Sequence, residues 1–112
     1  MENQLKFYIN GQWVESSSAE QIDVINPANE EVIGQISSGT EQDINLAVEA
    51  ASKAFESFSC STKEDRIDLL NKIIQEYENR YDDFVTTITK EMGAPNWLSQ
   101  RAQANTGLIN FK

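Results

Sequence analysis

Lys6-Phe7-Tyr8-Ile9-Asn10-Gly11-Gln12-Trp13-Val14 sets two apolar, β-prone runs on either side of Asn-Gly. Both turn residues tolerate the positive φ of a type I′ turn, so a two-residue hairpin is expected. After the polar stretch Glu15 to Glu20, Ile22-Asp23-Val24-Ile25 and Val32-Ile33-Gly34-Gln35-Ile36 form a second pair of strand candidates. Asn26-Pro27-Ala28-Asn29-Glu30-Glu31 lies between them. Pro27 lacks an amide hydrogen and suits a turn better than a ladder. Two hairpins over residues 6–36 are the reading.

The period changes at Thr40. Thr40-Glu41-Gln42-Asp43 has the form of a capping box, and Ile44, Ala47, Val48, Ala51, Phe55 and Phe58 recur at helical spacing. This predicts a helix over about 41–57. Thr62-Lys63-Glu64-Asp65 is a second capping signal, followed by an apolar stripe of Ile67, Leu70, Ile74, Tyr77, Tyr81, Phe84, Val85 and Ile88. One long helix over 63–92 is expected. Gly93 and Pro95 supply its stop, because Gly accepts a left-handed cap and Pro cannot continue the ladder. Asn96 is then the expected cap of a third helix over about 97–112, through Trp97, Arg101 and Leu108. No helix-ending signal precedes Lys112, so the chain is expected to stop within an element. The fold class is α+β: two β-hairpins followed by two or three α-helices.

At 112 residues and 39% hydrophobic content the chain has the size of one small domain, or part of one. Burying a large apolar side chain gains about 1.5 to 3 kcal/mol and ordering a residue costs about 1 to 2 kcal/mol, so partial burial leaves such a unit near balance. The predicted helices carry wide apolar faces, and further burial from elsewhere is expected. Nine Lys plus Arg against eighteen Asp plus Glu give a net charge of -9. That charge repels phosphate backbones and anionic membrane surfaces, so neither nucleic acid nor membrane is an expected partner. The acidic residues are dispersed, as on a solvated exterior. Met1-Glu2-Asn3-Gln4-Leu5-Lys6 lacks the basic start and apolar run of a signal peptide, and no run approaches membrane-spanning length. A cytoplasmic location is expected.

Reactive chemistry is sparse. There is no histidine, which removes the commonest general base and zinc ligand. The single cysteine, Cys60, can form no intrachain disulfide and lies in Phe58-Ser59-Cys60-Ser61 without a nucleophile motif. A structural thiol is the simpler reading. The pairs Glu30-Glu31, Glu64-Asp65 and Asp82-Asp83 read as solvated surface, since sequence neighbours on a helix do not face one pocket. Gly34 and Gly39 do not have the spacing of a dinucleotide fingerprint or a phosphate loop. Trp13 and Trp97, without basic neighbours, read as packing residues.

The order of these segments resembles the start of an aldehyde dehydrogenase. The resemblance is carried by Phe7-Tyr8-Ile9-Asn10-Gly11-Gln12-Trp13-Val14 and then Val24-Ile25-Asn26-Pro27-Ala28-Asn29-Glu30-Glu31-Val32-Ile33-Gly34. It continues through helices at Asp43 to Phe58 and Arg66 to Glu91, and ends on Lys90-Glu91-Met92-Gly93-Ala94-Pro95. Each piece is weak alone; their order and spacing make them specific. The resemblance implies that residues 1–112 are the amino-terminal part of an α/β NAD(P)-binding domain. It implies a parent enzyme that oxidises an aldehyde to a carboxylic acid with NAD or NADP, through a cysteine thioester, and that is a homo-oligomer. The family's nucleophilic cysteine, general-base glutamate, cofactor glycines and cofactor-binding lysine belong to motifs this chain does not reach. No catalytic or cofactor-binding residue is therefore assigned, neither cofactor is expected to bind this segment, and the isolated segment is expected to be inactive.

Two carry-overs follow from the resemblance. Ile25, through its carbonyl, and Glu91 are candidates for a monovalent cation site, and Asn105, Thr106 or Ile109 is placed beside the aldehyde channel. Two alternatives stay open: a non-catalytic interaction module using exposed apolar helix faces, and the start of a coenzyme A-acylating aldehyde dehydrogenase.

Overall fold

A computed structural model describes residues 3–112; Met1 and Glu2, which entered the reading of the amino terminus, lie outside the described residues. Strands β1 (Lys6–Ile9) and β2 (Gln12–Glu15) pair antiparallel with Phe7 opposite Val14 and Tyr8 opposite Trp13. Asn10 and Gly11 both take positive φ, 51° and 76°, as the Asn-Gly signal requires. Strands β3 (Gln21–Asn26) and β4 (Glu31–Ser37) form a separate two-stranded sheet. Helices follow: α1 (Glu41–Phe58), α2 (Lys63–Asn79), α3 (Tyr81–Met92), α4 (Asn96–Leu98), a π-turn (Ser99–Gln103) and α5 (Ala104–Phe111). The α+β class and the hairpins-then-helices order agree with the sequence.

The chain divides into two compact units. The first takes the chain up to Val24 together with Gly34–Ser61; the second takes Ile25–Ile33 and Thr62–Lys112. In the first unit, α1 lies against β1, and Phe7 reaches toward Gly39, where an added Cβ would stand 3.5 Å from the ring. On the other face of the hairpin Tyr8 and Trp13 meet edge-on with ring centres 5.1 Å apart. In the second unit, α5 packs on α2 and α3, and the π-turn packs on α3. Its buried centre is small: Val85, Ser99 and Ala104.

Two expectations are corrected. The single helix over 63–92 is two helices, because Arg80 leaves helical geometry at φ -108° and ψ 18°. Its amide bonds to the carbonyls of Glu76 and Tyr77, closing α2 with a tightened turn, and its carbonyl accepts from Phe84 to start α3. One off-helix residue does not interrupt the spacing of apolar residues, so periodicity reads straight through it. The third helix is also not uniform. Pro95 occupies the N-cap position, Asn96 is already helical and makes no side-chain cap bond, and the helix widens into the π-turn after Leu98. Proline at the cap leaves Asn96 no capping role, since the first amide it would serve is already inside the turn.

Candidate functional site

The densest polar cluster of the first unit is built on α1. Thr40 and Asp43 form a reciprocal capping box: Asp43 N donates to Thr40 Oγ1 at 3.3 Å and Thr40 N donates to Asp43 Oδ2 at 3.0 Å. Ser16 Oγ donates to Asp43 Oδ2 and Ser17 N to Asp43 Oδ1, each at 3.0 Å. The Asp43 side chain is buried, and these donors favour its charged form. The Thr40 amide is the strongest influence and burial opposes it; together they bring the Asp43 carboxyl from 3.8 to about 2. Ser16 and Ser17, a bare polar run in the sequence, are thus fastened to the helix start. Nothing periodic marks them; only the neighbouring capping box hints at a carboxylate in need of donors. At the start of α2, Thr62 and Asp65 repeat the box in an exposed setting, and the Thr62 hydroxyl and amide hold the Asp65 carboxyl below its usual range.

Beside this cluster are two open clefts of about 330 and 370 Å³, the first lined by Phe7, Ile9, Gly39 and Ile44, the second by Tyr8, Gly11, Ala50 and Ala54. Their walls are largely apolar and bring no nucleophile and base together.

In the second unit the turn Asn26-Pro27-Ala28 sits against Gly93. A Cβ added at Gly93 would lie 2.8 Å from the Ala28 amide nitrogen and 3.1 Å from Pro27 Cγ, and Gly93 itself takes φ 63°. Only glycine meets both demands. The contact joins the two segments that carry the cation candidates: Ile25 is half-exposed in β3, and Glu91 is exposed in the last turn of α3. Among the described residues no group of three or more His, Cys, Asp or Glu could hold a metal ion. Asn105, Thr106 and Ile109 all fall on α5, where the Thr106 hydroxyl donates to the Ala102 carbonyl at 2.8 Å. Cys60 is exposed, with the Glu56 carbonyl at 3.7 Å and the Ser59 hydroxyl at 3.9 Å as its hydrogen-bonding neighbours.

Hairpins lead into self-capped helices whose large apolar faces are open, and the polar groups described above serve to fasten loops. The family model of the aldehyde dehydrogenase family matches residues 13–111, and the chain belongs to that family. A protein of Staphylococcus epidermidis whose name assigns it provisionally to the aldehyde dehydrogenases is 50% identical over 111 residues, 99% of this chain and 23% of its own length. A counterpart in Staphylococcus aureus is 51% identical over the same lengths. Among solved structures, the aldehyde dehydrogenase of Bartonella henselae superposes with a TM-score of 0.94 at 38% identity, over 97% of this chain and 23% of that one. A mutant of aldehyde dehydrogenase C from Pseudomonas syringae, in complex with NAD+ and octanal, gives 0.95 at 32% identity, over 98% and 23%. The chain therefore spans about a quarter of the length of the relatives it matches. No helix among the described residues is long and apolar enough to cross a membrane.

Proposed function

We propose that the chain is the amino-terminal segment of an NAD-dependent aldehyde dehydrogenase and supplies the hairpins and covering helices of its cofactor-binding domain. The match over residues 13–111, set against 23% of each relative's length, carries this reading. The relative solved with NAD+ and octanal supports NAD as the parent's cofactor and an aldehyde as its substrate. In that parent the aldehyde is oxidised to an acid through a cysteine thioester, with the thiolate, the glutamate and the nicotinamide site in segments beyond this one. A homo-oligomeric, cytoplasmic parent belongs to the same proposal, as does a monovalent cation at the Ile25 carbonyl and Glu91 completed by oxygens from other segments.

The residues present do not fit a dinucleotide. A pyrophosphate docks on free amides at a helix N-terminus, preceded by a glycine-rich turn. Here the α1 and α2 termini already hold the Asp43 and Asp65 carboxylates, and α3 begins with Asp82 and Asp83. Negative charge at these termini opposes a phosphate, so this segment covers the cofactor domain without gripping the cofactor.

Fragment complementation tests the reading. The Staphylococcus epidermidis relative, shortened by the matched 111 residues, is co-expressed with this chain and assayed for NAD reduction by a panel of aldehydes. Restored, aldehyde-dependent reduction is expected. Failure to form a complex and to restore activity would overturn the proposal. The exposed apolar helix faces also favour a second reading, a non-catalytic interaction module. Under that reading the chain forms complexes with itself or another protein but not with the shortened relative.

A further inference from the structure

The end of the second unit contains a feature that the family reading does not explain. Between Leu98 and Ala104 the helix widens into a π-turn, in which the Ala104 amide reaches back to the Ser99 carbonyl. A π-turn accommodates one extra residue in a helix and is rarely favourable by itself, so something must hold it. Two tyrosines border it. Tyr77 donates to the Ala104 carbonyl at 2.9 Å, and Tyr81 donates to the Gln100 carbonyl. The donors are four residues apart and so are the acceptors, so the pair spans the π-turn like two rungs. Arg80, the break between α2 and α3, lies between the two tyrosines.

Hydroxyl-to-carbonyl bonds cannot by themselves choose a register, because every residue offers a carbonyl. A glycine can. An added Cβ at Gly107 would stand 2.5 Å from Tyr77 Oη and 3.1 Å from Tyr77 Cζ, so while the Tyr77 hydroxyl stays on the Ala104 carbonyl the site at the end of its ring has no room for a Cβ. Closing the π-turn to regular α-helix would advance everything after it by one residue, about 100° of rotation and 1.5 Å of rise. The position under the ring would then fall to Thr106, whose β-carbon does not fit.

We propose that Gly107 reads the register of the carboxy-terminal helix from beneath Tyr77, that the Tyr77 and Tyr81 hydroxyls lock it, and that the π-turn is the one-residue slack this register requires. Gly107, Tyr77 and Tyr81 are positioning residues. They determine which faces Asn105, Thr106 and Ile109 present; that these residues border an aldehyde channel rests on the proposed function, whereas the register does not.

The test moves the glycine. In a chain carrying both Thr106→Gly and Gly107→Ala, the Cβ-free position comes one residue earlier, so the π-turn loses its purpose. NMR of the 112-residue chain reads the outcome through contacts between the Tyr77 ring and the glycine α-protons, and through the amide pattern over 99–104. The unsubstituted chain should show ring contacts to Gly107 and the i to i+5 pattern. The doubly substituted chain should show ring contacts at position 106 and a continuous i to i+4 pattern. A second variant, Gly107→Ala alone, should lose the ring contact and the protection of the Ala104 amide by about tenfold or more. A π-turn that persists in the double variant, or an unsubstituted chain with regular α-helical contacts through 99–104, would overturn the proposal. Separately, aldehyde preference in the complemented enzyme reports on the channel reading alone.

Discussion

Asp43 shows how one residue fastens two stretches of chain. Its carboxylate accepts from Thr40 at the start of α1 and from Ser16 and Ser17 in the loop after β2, and these donors keep its pKa at about 2. A pKa lowered by folding means that the stabilisation is complete above the unfolded value, near 3.8, and is lost as pH falls toward 2. Urea midpoints measured at pH 5 and pH 3 should therefore drop in the native chain. In the Asp43→Asn variant, starting lower, they should drop less, with Asp65 supplying the remaining slope. Gly93 is the second decisive residue. A methyl group there must take a left-handed conformation, which costs about 1 to 2 kcal/mol, and press on the Ala28 amide, which adds about 1 to 3 kcal/mol of overpacking. Gly93→Ala should lower unfolding free energy by about 2 to 5 kcal/mol in equilibrium urea titration. The left-handed Gly93 was legible in the sequence from its place before Pro95. The docking of Asn26-Pro27-Ala28 on it was not, because a contact across more than sixty positions leaves no local pattern.

The starts of α1 and α2 were the most legible elements, since a capping box is chemistry written in four consecutive residues. Thr40 with Asp43 and Thr62 with Asp65 both form the reciprocal bonds that their spacing predicts. Thr62→Ala should cost about 1 kcal/mol of stability, seen in the urea midpoint, and Asp65 should then recover part of its ordinary pKa. The elements that sequence reading missed are those set by partners. Arg80 breaks the helix beneath an apolar stripe that runs on unbroken, and on either side of it the Tyr77 and Tyr81 hydroxyls meet Ala104 and Gln100. The π-turn carries no compositional mark, because Ser99-Gln100-Arg101-Ala102-Gln103 would be equally acceptable in an α-helix. Only Gly107, a helix-interior glycine that weakens its helix by about 1 kcal/mol, hints that a close approach is needed.

At the scale of the whole chain, the apolar residues define what the fold lacks. Phe55 is 66% exposed, Trp97 63% and Ile44 61%, and among the described residues Val85 and Ala104 are the only buried hydrophobic residues. Exposed faces of this extent fit the proposed place of this segment beneath the rest of a larger enzyme. The isolated chain should bind a hydrophobic dye strongly, and the dye signal should fall when the shortened relative is added. The hairpin order, the helix order and the family were all legible because they rest on ordered local signals, and the match over residues 13–111 agrees with them. The candidate cation residues Ile25 and Glu91 rest on resemblance alone, since one carbonyl and one carboxylate have no signature of their own. Under the proposed function, this segment covers a reaction centre whose chemistry lies elsewhere in the parent. The direct measurement is absorbance at the NADH band when the purified chain is incubated with NAD+ and a panel of aldehydes, beside a Cys60→Ser control. No NADH above that control is expected; aldehyde-dependent NADH formation that disappears in Cys60→Ser would contradict the proposed function.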